Sequence, residues 1–229
     1  MVVLAAAEPW VERCEREPEA TRRVNVEAAR VVAEEAQRLG ALLVVFSSEY
    51  VFDGTAGMYA EGDARHPINE YGRQKVDLED LALATGRALV CRSSGVFGYE
   101  PSRKNFVCQL VDHLRAGRPF DVPGDQLITP TYAASLARAV VELIDRGVTG
   151  VVHTAGPKVL ARSDFSQLVA DAFGGPASLL RVRPTSELGL TAPRPLRCGL
   201  DVGLLHDRLG HALTDPQDAL QHLVATGAV

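Results

Sequence analysis

Residues 46–75 read FSSEYVFDGTAGMYAEGDARHPINEYGRQK, and the remainder of the chain can be placed around them. The stretch opens on the end of an unalternated apolar run, Ala41 to Phe46 (ALLVVF). Such a run predicts a parallel strand covered on both faces. Asp53 to Asn69 is rich in Gly, Asp and Pro, and its 17 residues are more than a simple connection needs. Asn69 can cap a helix from about Glu70 to Thr85, which Gly86 then ends. The reading is strand, long loop, helix. Ser48 stands at the strand's end, and Tyr71-Gly-Arg-Gln-Lys75 follows 23 residues later on the helix.

The same alternation continues on both sides. Val2 to Ala7 is apolar and predicts a first strand, and residues 18–39 predict a helix closed by Gly40. Ala88 to Arg92 (ALVCR) is a third strand. A helix follows from Asn105 to Ala116, and an irregular crossing segment rich in Pro and Gly covers 118–131. Tyr132 to Arg146 predicts another helix, Val151 to Thr154 a short strand, and Ser163 the cap of a helix ending at Gly174-Gly175. The remainder predicts a strand at 179–183, a Pro-rich connection at 184–195 and short helices near 201–209 and 215–226. Strands alternating with helices imply an α/β fold, a parallel sheet flanked by helices with right-handed crossovers. The expected division is a catalytic core over 1–135, to which some later segments return, and a smaller substrate-binding lobe mainly over 136–229.

Bulk properties narrow the function. A chain of 229 residues can bury a full core. Its net charge of −5 argues against nucleic acid as a partner, which calls for a basic stripe. No apolar run reaches the ~18 residues of a membrane span, and the N-terminal MVVLAAAEPW lacks the basic region of a signal peptide. The four cysteines, Cys14, Cys91, Cys108 and Cys198, form no CxxC and read as reduced thiols of a cytoplasmic protein. The six histidines form no HxxxH or HExxH, so no metal site is expected.

Tyr71 and Lys75, four apart on one helix, face the same way. A phenol has a reference pKa near ~10 and is poorly poised at neutral pH. A neighbouring ammonium is expected to stabilise the phenolate and lower that value, letting the phenol exchange a proton with a carbonyl or alcohol oxygen. Ser48, just beyond the strand where open α/β sheets place their sites, could donate to the same oxygen. A Tyr-x-x-x-Lys pair alone is more often a surface contact than a site, so the strand end, the serine and the loop carry the argument. Asn25, inside the first long helix, is costly there by up to ~0.7 kcal/mol against Ala. It reads either as an exposed residue tolerated by packing or as a side chain that interrupts the helix ladder and holds a relay water.

Six stretches in this order, VVLAAAEPWVERCEREPEATRRVNVEAAR, FSSEYVFDG, PINEYGRQK, PGDQLITPTYAASLARA, GVVHTAG and TAPRPLRCGLD, resemble the extended short-chain dehydrogenase/reductase family. The likeness is strongest to its dTDP-4-dehydrorhamnose reductase group, which includes the regulatory β-subunit of methionine adenosyltransferase. The resemblance implies a Rossmann-like fold and hydride transfer from NAD or NADP in reduced form to a nucleotide-activated keto sugar. It also implies roles by position. Ser48 would polarise the carbonyl, Tyr71 would act as general acid, Lys75 would hold the nicotinamide ribose and tune Tyr71, and Asn25 would complete the relay. Ala5, Ala6 and Ala7 would line the cofactor. Tyr50, Asn105, Gln126 and Arg194 are the candidates for the sugar-nucleotide side.

The sequence departs from the group in three places. The strand, GxxGxxG turn and helix that hold the pyrophosphate are not found, nor is the βαβ run after them, roughly 50–60 residues or two βα units. An upstream continuation encoding GxxGxxG is therefore expected. Glu49 stands where Asp is usual, and Gly95 where a large aromatic is typical near the sugar. Two readings follow. One is a reductase of nucleotide-activated keto sugars. The other is a non-catalytic regulatory or scaffolding subunit, whose exposed sheet edge would take a partner or a second copy.

Overall fold

A computed structural model describes residues 1–229. The chain opens on strand β1 (Val2–Leu4), runs through helices α1 (Val11–Arg16), α2 (Pro18–Arg22) and α3 (Ala28–Arg38), and enters β2 (Leu43–Ser48). Then come β3 (Gly57–Tyr59), α4 (Glu70–Ala84), β4 (Ala88–Ser93), β5 (Val96–Phe97), α5 (Phe106–Arg115) and β6 (Phe120–Pro123). Short strands β7 (Leu127–Ile128) and β8 (Thr131–Tyr132) lead into α6 (Ala133–Asp145) and β9 (Gly150–His153). The chain closes with β10 (Leu160–Ala161), α7 (Arg162–Phe173), β11 (Leu180–Arg183), β12 (Cys198–Leu200), α8 (Gly203–Leu209) and α9 (Pro216–Ala225).

The apolar runs become a four-stranded parallel sheet in the order β1-β2-β4-β9. The pleat sends alternate residues to opposite faces. Leu43, Val45 and Val90 pack beneath Ala29, Ala33 and Ala36 of α3 and Leu78 and Ala82 of α4. Val44, Leu89, Cys91 and Val152 meet Leu136, Val140 and Leu143 of α6 and Leu205 and Leu209 of α8 on the other side. Both central strands are covered twice, which is why they show no polar alternation.

Two expectations are corrected. The first strand stops at Leu4, because β1 pairs with β2 over only three residues; Ala5 to Ala7 continue beyond it, exposed. The segment 118–131 is not wholly irregular but contributes β6, β7 and β8 to two-stranded pairs. The chain moves between two cores on either side of 135/136. Helix α5, from the first half, joins α7 and α9 in a separate core around Val107, Leu110, Phe165, Val169 and Leu220. Helices α6 and α8, with β9 between them, return to the sheet. Core and lobe are interleaved along the chain.

One glycine sets the distance between α4 and the loop after β2. A Cβ at Gly72 would lie 2.2 Å from the Tyr50 carbonyl oxygen. At an exposed helix position Gly→Ala would stabilise by about 1 kcal/mol; here the sign reverses. The Gly72→Ala variant should lose about 1–3 kcal/mol through overpacking, read as a lowered denaturant midpoint.

Candidate active site

Parallel pairing fixes one edge of the sheet as the site. Ser48 is opposite Ser93 at the ends of β2 and β4. Because Leu4 is level with Val45, Ala5 to Ala7 extend past the same edge. Helix α4 starts at this edge before running down the sheet face, Asn69 capping it through Oδ1, which accepts from the Gly72 N–H at 2.8 Å. Its first turns present Tyr71 and Lys75. The Tyr71 ring meets Tyr50 edge-to-face at 5.5 Å between centroids. Lys75 Nζ donates to the Phe46 carbonyl at 2.8 Å and lies 5.5 Å from the centre of the Tyr71 ring. Lysine and tyrosine are thus brought together with the end of β2, the lysine tied to the strand itself.

The electrostatics differ from the sequence expectation. Burial pushes the Tyr71 phenol upward, the Glu49 carboxylate adds to that, and hydrogen bonding from Ser48 opposes it. Lys75 is not what sets the phenol. The lysine is itself buried, which draws its pKa down to about 8, against weaker opposing pulls from Cys14 and Glu79. Ser48 Oγ donates to Glu49 Oε2 at 2.6 Å, and Ser94 Oγ donates to the other carboxyl oxygen at 3.1 Å. Burial raises the Glu49 carboxyl, and these hydroxyls only partly counter it.

Asn25 sits in a single π-helical turn, Arg23–Glu27, between α2 and α3, so the long helix is interrupted where the asparagine stands. Its Oδ1 accepts from the Glu8 N–H at 2.8 Å. Its Nδ2 donates to the Glu8 carbonyl at 3.1 Å and to Gln74 Oε1 at 2.8 Å. Gln74 in turn donates to Thr21 Oγ1 at 2.9 Å. Asn25 therefore brackets the segment after β1 to α4. π-turns of this kind recur at functional sites.

The substrate-side candidates are each held by the fold. Tyr50 and Arg194 meet, the guanidinium carbon 5.9 Å from the ring centre, and Glu12 holds Arg194 through an ion pair of 2.7 Å. Gln126 is buried and donates to Thr185 Oγ1 at 2.9 Å. Asn105 caps α5, accepting from the Cys108 N–H at 3.1 Å and donating to the Gly98 carbonyl at 2.8 Å. Gly95 has a left-handed φ of +51°, so a large aromatic would be strained there. A nicotinamide cofactor is tested by the residues present. Exposed alanines past the end of β1, at the sheet edge that also carries a buried lysine and a tyrosine, suit its ribose end, and the glycine turn for its pyrophosphate is not found in this sequence.

Sequence reading missed several contributors. Glu49 appeared only as a conservative exchange. Arg162, at the start of α7, and the buried pair Arg92–Glu79 (2.8 Å) gave no local signal, since their partners lie far along the chain. Behind the site, Glu79 also accepts from Ser47 Oγ at 2.5 Å.

The depressed Lys75 pKa has a consequence for stability. Its folded value, about 8, lies below the unfolded value near ~10.4. Between those values the unfolded chain binds more protons, so stability rises with pH. Below pH ~8 both states carry the charge, and the penalty of burying it is constant. The Lys75→Met variant should lose up to about 1.4 kcal/mol of stability gain per pH unit between pH 8 and 10, measured by denaturant titration at each pH.

Comparison with known proteins gives consistent results. The family model described as the RmlD substrate binding domain matches residues 1–229. A probable low-salt glycan biosynthesis reductase, Agl14, of Haloferax volcanii is 34% identical over 98% of this chain and 77% of its own length. Methionine adenosyltransferase 2 subunit beta of Xenopus laevis is 31% identical over 90% of this chain, and the match covers 64% of that protein. Among solved structures, dTDP-4-dehydrorhamnose reductase from Bacillus anthracis in complex with NADP superposes with a TM-score of 0.91 at 25% identity, over 98% of this chain and 79% of that one. The chain belongs to the RmlD substrate binding domain family.

Proposed function

We propose that this chain serves the reduction of a nucleotide-activated keto sugar, with dTDP-4-dehydrorhamnose as the first substrate to test. The observation that carries the reading is the grouping of Ser48, Tyr71 and Lys75 at the C-terminal edge of β2. NADPH or NADH, held at Ala5–Ala7 and Lys75, supplies the hydride. Tyr71 delivers the proton to the carbonyl oxygen as it becomes an alcohol. A phenol pushed upward by burial stays protonated at neutral pH and therefore suits the reductive direction. Lys75, fixed to Phe46, orients the nicotinamide ribose. Ser48 donates to the same substrate oxygen. Glu49 holds the Ser48 hydroxyl in place, accepting from its Oγ at 2.6 Å. Asn25 braces the cofactor-side segment against α4. Tyr50 and Arg194 face the sugar nucleotide.

Purified protein, with NADPH or NADH and dTDP-4-dehydrorhamnose, should consume reduced cofactor. Tyr71→Phe should lower the rate about 10²–10⁴-fold with little change in thermal midpoint. No turnover with either cofactor and this or another nucleotide-activated keto sugar sinks the reading for this chain.

A second reading, a non-catalytic subunit, is favoured by the likeness to methionine adenosyltransferase 2 subunit beta. The outer edge of β1, which pairs only with β2 and leaves Val3 exposed, would be its contact surface. It requires a stable oligomer or heteromer without cofactor binding, so micromolar affinity for NADH or NADPH in a fluorescence titration excludes it.

A further inference from the structure

Glu79 lies one turn beyond Lys75 on α4 and is fully buried. Its carboxylate meets four donors, enough to occupy every lone-pair position it has. Ser47 Oγ donates to Oε1 at 2.5 Å, and Arg92 Nε to the same oxygen at 2.8 Å. Arg92 Nη2 donates to Oε2 at 2.8 Å, and Arg65 Nη1 reaches that oxygen at 3.2 Å. The bidentate arginine fork fixes direction as well as distance. Ser47 and Arg92 are register partners on β2 and β4, one residue before Ser48 and Ser93.

Together with the lysine contact, these bonds close a ring. Lys75 Nζ donates to the Phe46 carbonyl. Ser47, the next residue of β2, donates to Glu79, four residues after Lys75. Side chains four apart stack on one helix face, so one turn of α4 is fastened to two adjacent residues of β2. The Arg92–Glu79 pair also fastens the long loop. Arg92 Nη1 donates to the Glu61 carbonyl at 3.1 Å, and Arg65 comes from the same loop. That loop ends at the Asn69 cap of α4, two residues before Tyr71. Burial of apolar area is non-directional, so the packing of Leu78 and Ala82 against the sheet does not by itself fix the helix along its axis. A buried ion pair gives little stability over apolar side chains of equal volume; direction is what it adds here.

We propose that Glu79, oriented by Arg92, is a positioning residue of the proton-transfer site: through Ser47 it locks the Lys75–Glu79 turn of α4 to the end of β2 and so holds Lys75 and Ser48 in place. The effect on rate rests on the reductase reading, yet the lock can be observed without turnover.

The full chain contains three lysines, Lys75, Lys104 and Lys158, and the last two are exposed. Lysine enriched in carbon-13 at Cε therefore resolves the titration of Lys75 by NMR, about 8 in wild type. Ser47→Ala breaks the link to β2. It should lower the thermal midpoint by only about 2–4 °C, while Lys75 moves up toward ~10.4 as water reaches the loosened ammonium. Ser47→Thr keeps the hydroxyl and should titrate as wild type. Glu79→Gln should also move Lys75 upward, whereas loss of a negative neighbour alone would move it down. With NADPH and dTDP-4-dehydrorhamnose, kcat should fall about 10-fold in Ser47→Ala and about 10²-fold in Glu79→Gln, with KM for the sugar nucleotide changed by less than about twofold. The proposal is overturned if Lys75 stays at its wild-type value in Ser47→Ala, if it falls in Glu79→Gln, or if Ser47→Thr titrates like Ser47→Ala. Should Glu79→Gln fail to fold, the two Ser47 variants decide. No turnover in wild type would remove the reductase reading and leave the titration to decide the lock.

Discussion

The close approach of α4 to the end of β2 is the constraint on which the site depends. Two contacts set it. Gly72 lets the helix backbone come up against the Tyr50 carbonyl, and Lys75 reaches across to the Phe46 carbonyl. Both residues lie in the five-residue string Tyr71 to Lys75. Tyr71, next to the first anchor and one helical turn from the second, is thereby held at the strand end near Ser48. Chemistry and packing are therefore written in the same residues, and a change meant to probe one will disturb the other unless it spares the helix–strand distance.

Burial is the second organising influence. It holds the phenol protonated, weakens the ammonium and drives the Glu49 carboxyl toward its acid form. All three shifts reduce charge at the edge of the sheet.

Much of this was legible in the residues. The buried strands showed as unalternated apolar runs, and the helix of Tyr71 and Lys75 showed through its Asn69 cap and Gly86 stop. The misplacement of Asn25 in a helix pointed to a real break in the ladder, a π-turn. What could not be read was long-range. No local pattern says that Gln74 receives Asn25, that Glu79 pairs with Arg92, or that Arg162 comes to lie beside Tyr50. The effect of Lys75 on Tyr71 was misjudged for a related reason. Spacing shows that two groups share a helix face, whereas the depth of the surrounding protein decides which direction a pKa moves. Composition tracks local polarity, whereas α5 and α6 are assigned to their cores by contacts made elsewhere.

The ion pair between Glu12 and Arg194 joins residues 182 apart in sequence. Closing so long a loop costs entropy that only the completed fold repays. The end of β2 and the start of α4 join residues far closer in sequence, so Ser48, Tyr71 and Lys75 can meet early. Arg194 is fixed only when the last quarter of the chain returns to α1. The surroundings of Arg194 are thus among the late-forming parts of the molecule, and the order in which the chain folds runs from the sheet edge outward.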